Sequence, residues 1–319
     1  MKTKQYDVIA IGELNVDVIL NRLQGEPQVG KEIFAEDMML TLGSSTAIFA
    51  ANITCLGSRT GFVGMIGQDN FGDLIESSLA AKGVDTSMLI RSTKHATGAT
   101  ICLNYNEDRA NVTYQGAMDF MSFDDLDKEL FTKTKHIHLS SIFMQSGIKK
   151  DLLKILQTAR DNGVTTSLDT QWDPKEVWNL DYKEVLPLVS VFLPNETELK
   201  FITRSESLEE AIAKIEPYIS VCVVKRGRKG SILLQKGKKP VELDAFLNND
   251  VVDAIGAGDS FNAGFIHAFI NGYIPSESQV IANLTGAINT TAAGGTGAFT
   301  SKETVKDIAR KRFNQELKI

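Results

Sequence analysis

Gly256-Ala257-Gly258 is followed directly by Asp259 and then by Phe261, Phe265, Ala268 and Phe269. The small residues allow a tight turn and let a ligand approach the backbone closely. The aromatic and alanine spacings of four, three and one are those of a helix. A helix that opens on such a turn presents unpaired backbone N–H groups and its positive dipole end, which suits an anion. A carboxylate there is poorly matched to binding phosphate. It suits a base that takes a proton from a nucleophile while the N–H groups hold the developing negative charge. The competing reading is a plain loop with an aspartate cap.

Other residues could share that chemistry. Asn195 and Glu198 are three apart, the spacing of a helix capping box. The same pair could hold a phosphate oxygen or a metal-bound water, since Mg²⁺ prefers oxygen ligands and keeps several waters. Asn15 and Asp17 pair an amide with a carboxylate, groups that accept hydrogen bonds from vicinal hydroxyls. Asp169 is a candidate to approach phosphates or Mg²⁺, and Trp172 is either a stacking platform or a packing residue. His95, His136, His138 and His267 lack metal-ligand spacing, and structural roles fit them better.

These residues need a scaffold. Apolar runs at 8–11, 62–66, 136–140, 165–169, 189–193, 221–225 and 231–234 read as strands. Helical patterns occupy 47–56, 72–82, 149–162, 208–215, 263–271, 278–293 and 304–316. Such alternation implies an α/β fold with a mostly parallel sheet and helices on both faces. In these sheets ligands sit at the carboxyl ends of the strands. Glu13, Asn15, Asp169, Asn195 and Asp259 fall at or just after such ends. Two segments, about 14–42 and 97–117, carry short extended runs without helical spacing. They read as excursions from a single domain spanning 1–319 that pair into a small β lid. An accessory sheet with one apolar face seeks a partner, so a homodimer through the lids is expected.

Composition narrows the function classes. Lys and Arg total 34 against 40 acids, a net charge of −6, with no extended basic block. A nucleic-acid or anionic-membrane partner is therefore disfavoured. Cys55, Cys102 and Cys222 lie in apolar stretches and suggest thiols in a reducing compartment. No long apolar run and no leader pattern is present, so a cytoplasmic protein is expected.

Together these motifs resemble the ribokinase-like (PfkB) carbohydrate kinase family. The signature runs from Asp253 through Gly256-Ala257-Gly258-Asp259 to Phe265. The resemblance implies a three-layer ribokinase-like α/β fold with a β lid. It makes Asp259 the catalytic base and Gly256, Ala257 and Gly258 the anion-hole turn. It assigns Asn195 and Glu198 to the nucleotide phosphates and to Mg²⁺ held through water. Lys225, Gly227 and Gly230 form the turn near the nucleotide, with Asn289 on the same side. Asn15 and Asp17 would grip the sugar, with Gly43, Ser44 and Arg109 lining its pocket. Asp253 and the Ile255 carbonyl would help bind K⁺ with the later loop 293–298. Ser44 and Ile48 depart from the family pattern of a second glycine and an asparagine. That region lines the sugar pocket in the family, so the departure bears on the acceptor and leaves the catalytic end untouched.

The implied activity is ATP-dependent phosphorylation of an end-carbon hydroxyl of a small sugar. A 2-keto-3-deoxygluconate-type acid, with Arg109 on its carboxylate, and a nucleoside are alternative acceptors. A sugar phosphate would need at least two cations in the pocket. A non-catalytic sugar-binding relative is the reading from another class; the intact base and turn argue against it. Ile11-Gly12-Glu13-Leu14-Asn15 is no dinucleotide fingerprint, and a Walker A motif is absent.

Overall fold

The computed structural model describes residues 4–105 and 108–319, with Asp108 and Arg109 described by backbone alone. Fourteen strands are present among them, in chain order β1 (Tyr6–Ile11), β2 (Asn15–Leu23), β3 (Ala35–Leu42), β4 (Thr60–Val63), β5 (Met65–Gly67), β6 (Ile90–Ser92), β7 (Gly98–Tyr105), β8 (Asp108–Tyr114), β9 (Thr134–Ser140), β10 (Thr165–Asp169), β11 (Val191–Phe192), β12 (Val221–Lys225), β13 (Ser231–Gln235) and β14 (Val241–Leu243). Eight form one sheet in the order β14-β13-β12-β11-β10-β9-β1-β4. The six from β12 to β4 are parallel, and β13 and β14 add an antiparallel edge. Parallel pairing puts Ile11, Ser140, Asp169, Phe192 and Lys225 at one edge, so the residues that follow them converge there.

Period-two alternation divides the core between the two faces. Ile9, Ile11, Leu139, Leu168 and Phe192 pack on one side, against the helices Leu152–Asp161, Glu196–Thr203 and Leu208–Ile215. Val8, Ala10, Val191 and Val223 pack on the other, against Ser45–Cys55, Ala257–Ile270 and Pro275–Asn289. His136 and His138 share that second face, opposite Val8 and Ala10. Ser167 bonds a ring nitrogen of each, and His138 stacks on Phe49 at 3.7 Å. Burial foremost depresses both to about 3, with the mutual cost of charging the pair adding to it at His136 and the Lys225 ammonium at His138, which keeps them neutral packing groups.

The two excursions pair into one sheet, β3-β2-β7-β8. Its register sorts the side chains by face. Leu40, Val18, Ile101 and Val112 form one row, and Thr41, Asp17, Thr100 and Thr113 form the next. One face is thus apolar; the other sets this polar row beside Ile19, Met39 and Cys102.

Several boundaries differ from the sequence expectation. The run at 62–66 is two strands broken at Gly64, where an added Cβ would meet Leu14 Cδ1 at 2.7 Å. The helix expected over 149–162 is two, Ser146–Lys150 and Leu152–Asp161, separated at Asp151. The helix expected at 263 begins six residues earlier, at Ala257, on the small-residue turn itself.

Candidate active site

The Ala257–Ile270 helix starts at Gly256, whose φ of 75° lies in the left-handed region. Glycine is required there for a second reason: an added Cβ would lie 2.6 Å from Gly295 Cα. Ala257 N–H turns back to Ala254 O at 3.2 Å, and Ser260 N–H makes the bond to Gly256 O at 2.8 Å. Among the described residues, the N–H groups of Gly258 and Asp259 have no backbone acceptor outside the helix. They are two free donors at the helix start. A Cβ on Gly258 would meet only Lys225, with Nζ at 3.8 Å, so that ammonium stands beside the free donors.

A buried polar network holds this turn from behind. Asn52 Nδ2 donates to Ser260 Oγ at 2.8 Å and to Gly295 O at 2.9 Å. Ser260 donates to Asn289 Oδ1 at 2.8 Å, and Asn289 Nδ2 donates to Ile255 O at 2.6 Å. Asn289 has no exposed surface, and both ends of its amide are spent inside the protein. It lies under the turn and anchors it from behind. Asp253 joins the same assembly, accepting from Ile255 N and Gly294 N at 2.9 Å each. Ile48 packs against Gly256 and Gly295, so this departure from the family pattern also sits beneath the turn.

Asp259 is buried, and its Oδ1 accepts a hydrogen bond from Gln171 Nε2 at 3.0 Å. Beside it, Asp169 Oδ2 accepts from Lys225 Nζ at 2.6 Å, Asn262 Nδ2 at 2.5 Å and Gln171 Nε2 at 3.0 Å. One lysine serves two neighbouring carboxylates here, and the geometry decides between them: Asp169 has four donors, Asp259 has one. Burial foremost, then the negative charge of Asp169, holds the Asp259 carboxyl well above the usual carboxylate range. A raised value brings a carboxylate closer to the operating pH of a general base. Lys225 itself is raised; burial opposes this, and the surrounding carboxylates led by Asp169 outweigh it.

Asn195 and Glu198 form the capping box of the Glu196–Thr203 helix. Asn195 N donates to Glu198 Oε2 at 2.9 Å and Glu198 N donates to Asn195 Oδ1 at 2.8 Å. The structural and functional readings of the pair coincide in space, because the backbone also bridges Asn195 to Lys225. Burial first, then Asp169, pushes Glu198 up to about 7. Such a carboxylate gains from a nearby cation, which fits Mg²⁺ held through water. Among the described residues no cluster of three or more His, Cys, Asp or Glu could hold a metal by itself.

Gly227 has a φ of 56° and open space where a side chain would project. Gly230 is different: a Cβ would fall 1.9 Å from Leu243 O, so it serves packing against β14.

Toward the small sheet, Gly43 lets Asn15 and Asp17 come close, because an added Cβ would lie 2.4 Å from Asp17 Oδ1 and 2.5 Å from Asn15 Nδ2. Asn15 Nδ2 donates to Asp17 Oδ1 at 2.8 Å and to Thr100 Oγ1 at 3.1 Å. Ser44, at φ 74°, caps the Ser45–Cys55 helix through Ala47 N and donates to Glu13 O at 2.7 Å. Its hydroxyl is thus engaged in fixing the turn after Gly43. Glu13 is buried, takes both Thr46 N and Thr46 Oγ1, and is close enough to raise Asp259 further. Arg109 pairs with Asn104 in the β7–β8 ladder; its side chain lies outside the described ones.

Asn52, Asn262 and Thr46 carry no role in the sequence reading. The signal was available in part: they are polar residues set into otherwise apolar helical stretches. Trp172 packs edge-on to Trp178 and Phe201 at 5.0 and 5.8 Å while remaining half exposed.

The pfkB family carbohydrate kinase model matches residues 5–302. The chain belongs to this family. It is similar to ribokinase from Arabidopsis thaliana, 28% identical over 279 residues, which are 83% of this chain and 71% of that one. It is also similar to 5-dehydro-2-deoxygluconokinase from Lacticaseibacillus casei, 26% identical over 280 residues, 83% of this chain and 84% of that one. Its fold matches a putative ribokinase II from E. coli in complex with ATP and Mg²⁺, with a TM-score of 0.82, 23% identity, and coverage of 96% and 99%. The pfkB kinase thus has the ribokinase fold, with its mostly parallel sheet, flanking helices and separate small sheet. No helix among the described residues is long and apolar enough to cross a membrane.

Proposed function

We propose that this pfkB kinase transfers the terminal phosphoryl group of ATP to an end-carbon hydroxyl of a small neutral sugar. The observation that carries the reading is the start of the Ala257–Ile270 helix, where a buried carboxylate adjoins two free N–H donors and the Lys225 ammonium. Asp259 takes the hydroxyl proton as the new P–O bond forms, and the bond to the β,γ-bridging oxygen breaks to release ADP. Gly258 and Asp259 N–H, with Lys225 beside them, hold charge that builds on the transferring oxygens without reorganising. Mg²⁺, held through water near Glu198, would neutralise phosphate charge when bound. Asn195 and the open Gly227 turn line the nucleotide side.

Asn15, Asp17 and Thr100 offer an amide, a carboxylate and a hydroxyl, a set that suits vicinal hydroxyls. Asp17 and Glu13 would repel an acidic acceptor, which favours a neutral one. The likeness to a 5-dehydro-2-deoxygluconokinase favours a sugar acid instead, and Arg109 is the cation that would receive it. Asp253 and Ile255 O are the K⁺ candidates; equal turnover in potassium and in tetramethylammonium buffers would sink that assignment. The apolar lid face, with Met38 and Val112 each 64% exposed, supports a homodimer through the lids. A cytosolic location completes the reading.

The test is ADP release with MgATP and K⁺ against ribose, fructose, 2-keto-3-deoxygluconate, 5-dehydro-2-deoxygluconate, fructose 6-phosphate and several nucleosides, with Asp259→Asn as control. A strong neutral-sugar signal lost in the variant supports the reading. A signal confined to an acid or a nucleoside overturns the neutral acceptor, and one that survives Asp259→Asn overturns the base.

A further inference from the structure

Gln171 lies two residues past the end of β10 and adopts a left-handed backbone, with φ 56°. An L-residue with a Cβ adopts this conformation at a cost and keeps it where its surroundings over-determine it, often beside a functional site. The surroundings here are two carboxylates. Gln171 N donates to Asp169 Oδ1 at 3.3 Å, and its Nε2 donates to Asp169 Oδ2 and Asp259 Oδ1 at 3.0 Å each. A side-chain amide has two N–H donors, and both are committed to these oxygens. Among the described residues, Gln171 is the side chain that hydrogen-bonds Asp259.

We propose that Gln171 is the positioning residue of the base: its amide tethers Asp259 Oδ1 to the Asp169–Lys225 pair and presents Oδ2 to the acceptor hydroxyl. This rests on the reading of Asp259 as the base. Without the tether the carboxylate could rotate, and a small misplacement at a reacting centre costs rate far more than affinity. The tether also acts on charge. Asp169, Glu13 and Lys225 are the charged groups facing Asp259. Two of them are carboxylates that favour the protonated base, and the Gln171 N–H opposes them by stabilising the ionised form. Lys225 favours the ionised form as well, and more strongly, although Asp169 holds its ammonium at 2.6 Å; the Gln171 N–H is the donor that bonds Asp259 itself.

A purely structural glutamine, stitching the loop after β10 to the sheet, would affect melting temperature alone. Gln171→Met keeps length and approximate volume and removes both N–H groups; Gln171→Ala is a second variant should the first fold poorly. With the sugar found in the panel, kcat should fall about tenfold to hundredfold while both Michaelis constants stay within about twofold. The acid limb of the kcat–pH profile should move up by about one unit. Carboxyl ¹³C NMR of aspartate-labelled, ligand-free protein reads the same effect without turnover. The resonance missing in Asp259→Asn identifies the base, and its midpoint should rise by about one unit in Gln171→Met. An unmoved midpoint and pH limb, with only a lower melting temperature, overturn the proposal. Undiminished turnover in Asp259→Asn overturns the kinase mechanism instead, and the NMR comparison then still decides whether Gln171 controls this carboxyl.

Discussion

At the carboxyl edge of the large sheet, Asp169, Lys225, Asn262 and Asp259 are packed into one hydrogen-bonded cluster. In the lid, Met38, Leu40, Val112 and Tyr114 stand exposed on a four-stranded sheet. The first region spends burial and backbone strain to fix a few polar atoms. The second leaves apolar surface open on one face and sets Thr41, Asp17, Thr100 and Thr113 in a row on the other. Reaction chemistry needs atoms held to fractions of an ångström in a low-dielectric setting, which the first region supplies.

Charge removal at the buried end should have the largest effect. Asp259→Asn is expected to lower kcat about 10³-fold with little change in either Michaelis constant. A loss under tenfold in steady-state assays would put the base elsewhere. Lys225→Met leaves Asp169 buried without its counter-charge, so unfolding by urea should show a loss of about 3–5 kcal/mol. A loss near zero would mean that Asn262 and Gln171 satisfy Asp169 unaided.

The same burial sets a pH signature. Asp259 keeps its proton to higher pH when folded than when unfolded. Its contribution to stability is therefore full below about pH 4 and is lost as pH rises through the folded value. Asp259→Asn should melt above the parent at pH 8, with the gap closing toward pH 4. A gap independent of pH would assign the gain to packing.

Substitutions in the lid should act more narrowly. Asp17→Ala should raise the sugar Michaelis constant about tenfold to hundredfold and leave melting unchanged; an unchanged constant would remove Asp17 from the pocket. Val112→Lys should convert a lid dimer to monomer in sedimentation while changing monomer stability by less than about 0.5 kcal/mol. An unaltered sedimentation coefficient would separate the apolar lid face from dimerisation.

Much of this division was legible in the chain. The alternation of strand and helix patterns gave the parallel sheet, and Gly256-Ala257-Gly258-Asp259 gave the tight turn at a helix start, because both rest on local periodicity and on small residues. The extended runs at 16–20, 34–39, 99–103 and 111–114 indicated the lid. Boundaries within apolar stretches were less legible: the break at Gly64 follows from contact with Leu14, a residue fifty positions earlier. Asn289 was assigned to the nucleotide side, and its full burial beneath the turn depends on how two helices pack.

By itself the sequence determined which elements form and which residue types stand at the strand ends, since these depend on neighbours within a few positions. Only the tertiary structure decided that Lys225 pairs with Asp169, fifty-six residues away, and that Gln171 reaches Asp259, eighty-eight residues away. Side-chain partnership across such separations is set by strand order, the left-handed turn at Gln171 and the exclusion of water. None of these is written in local spacing.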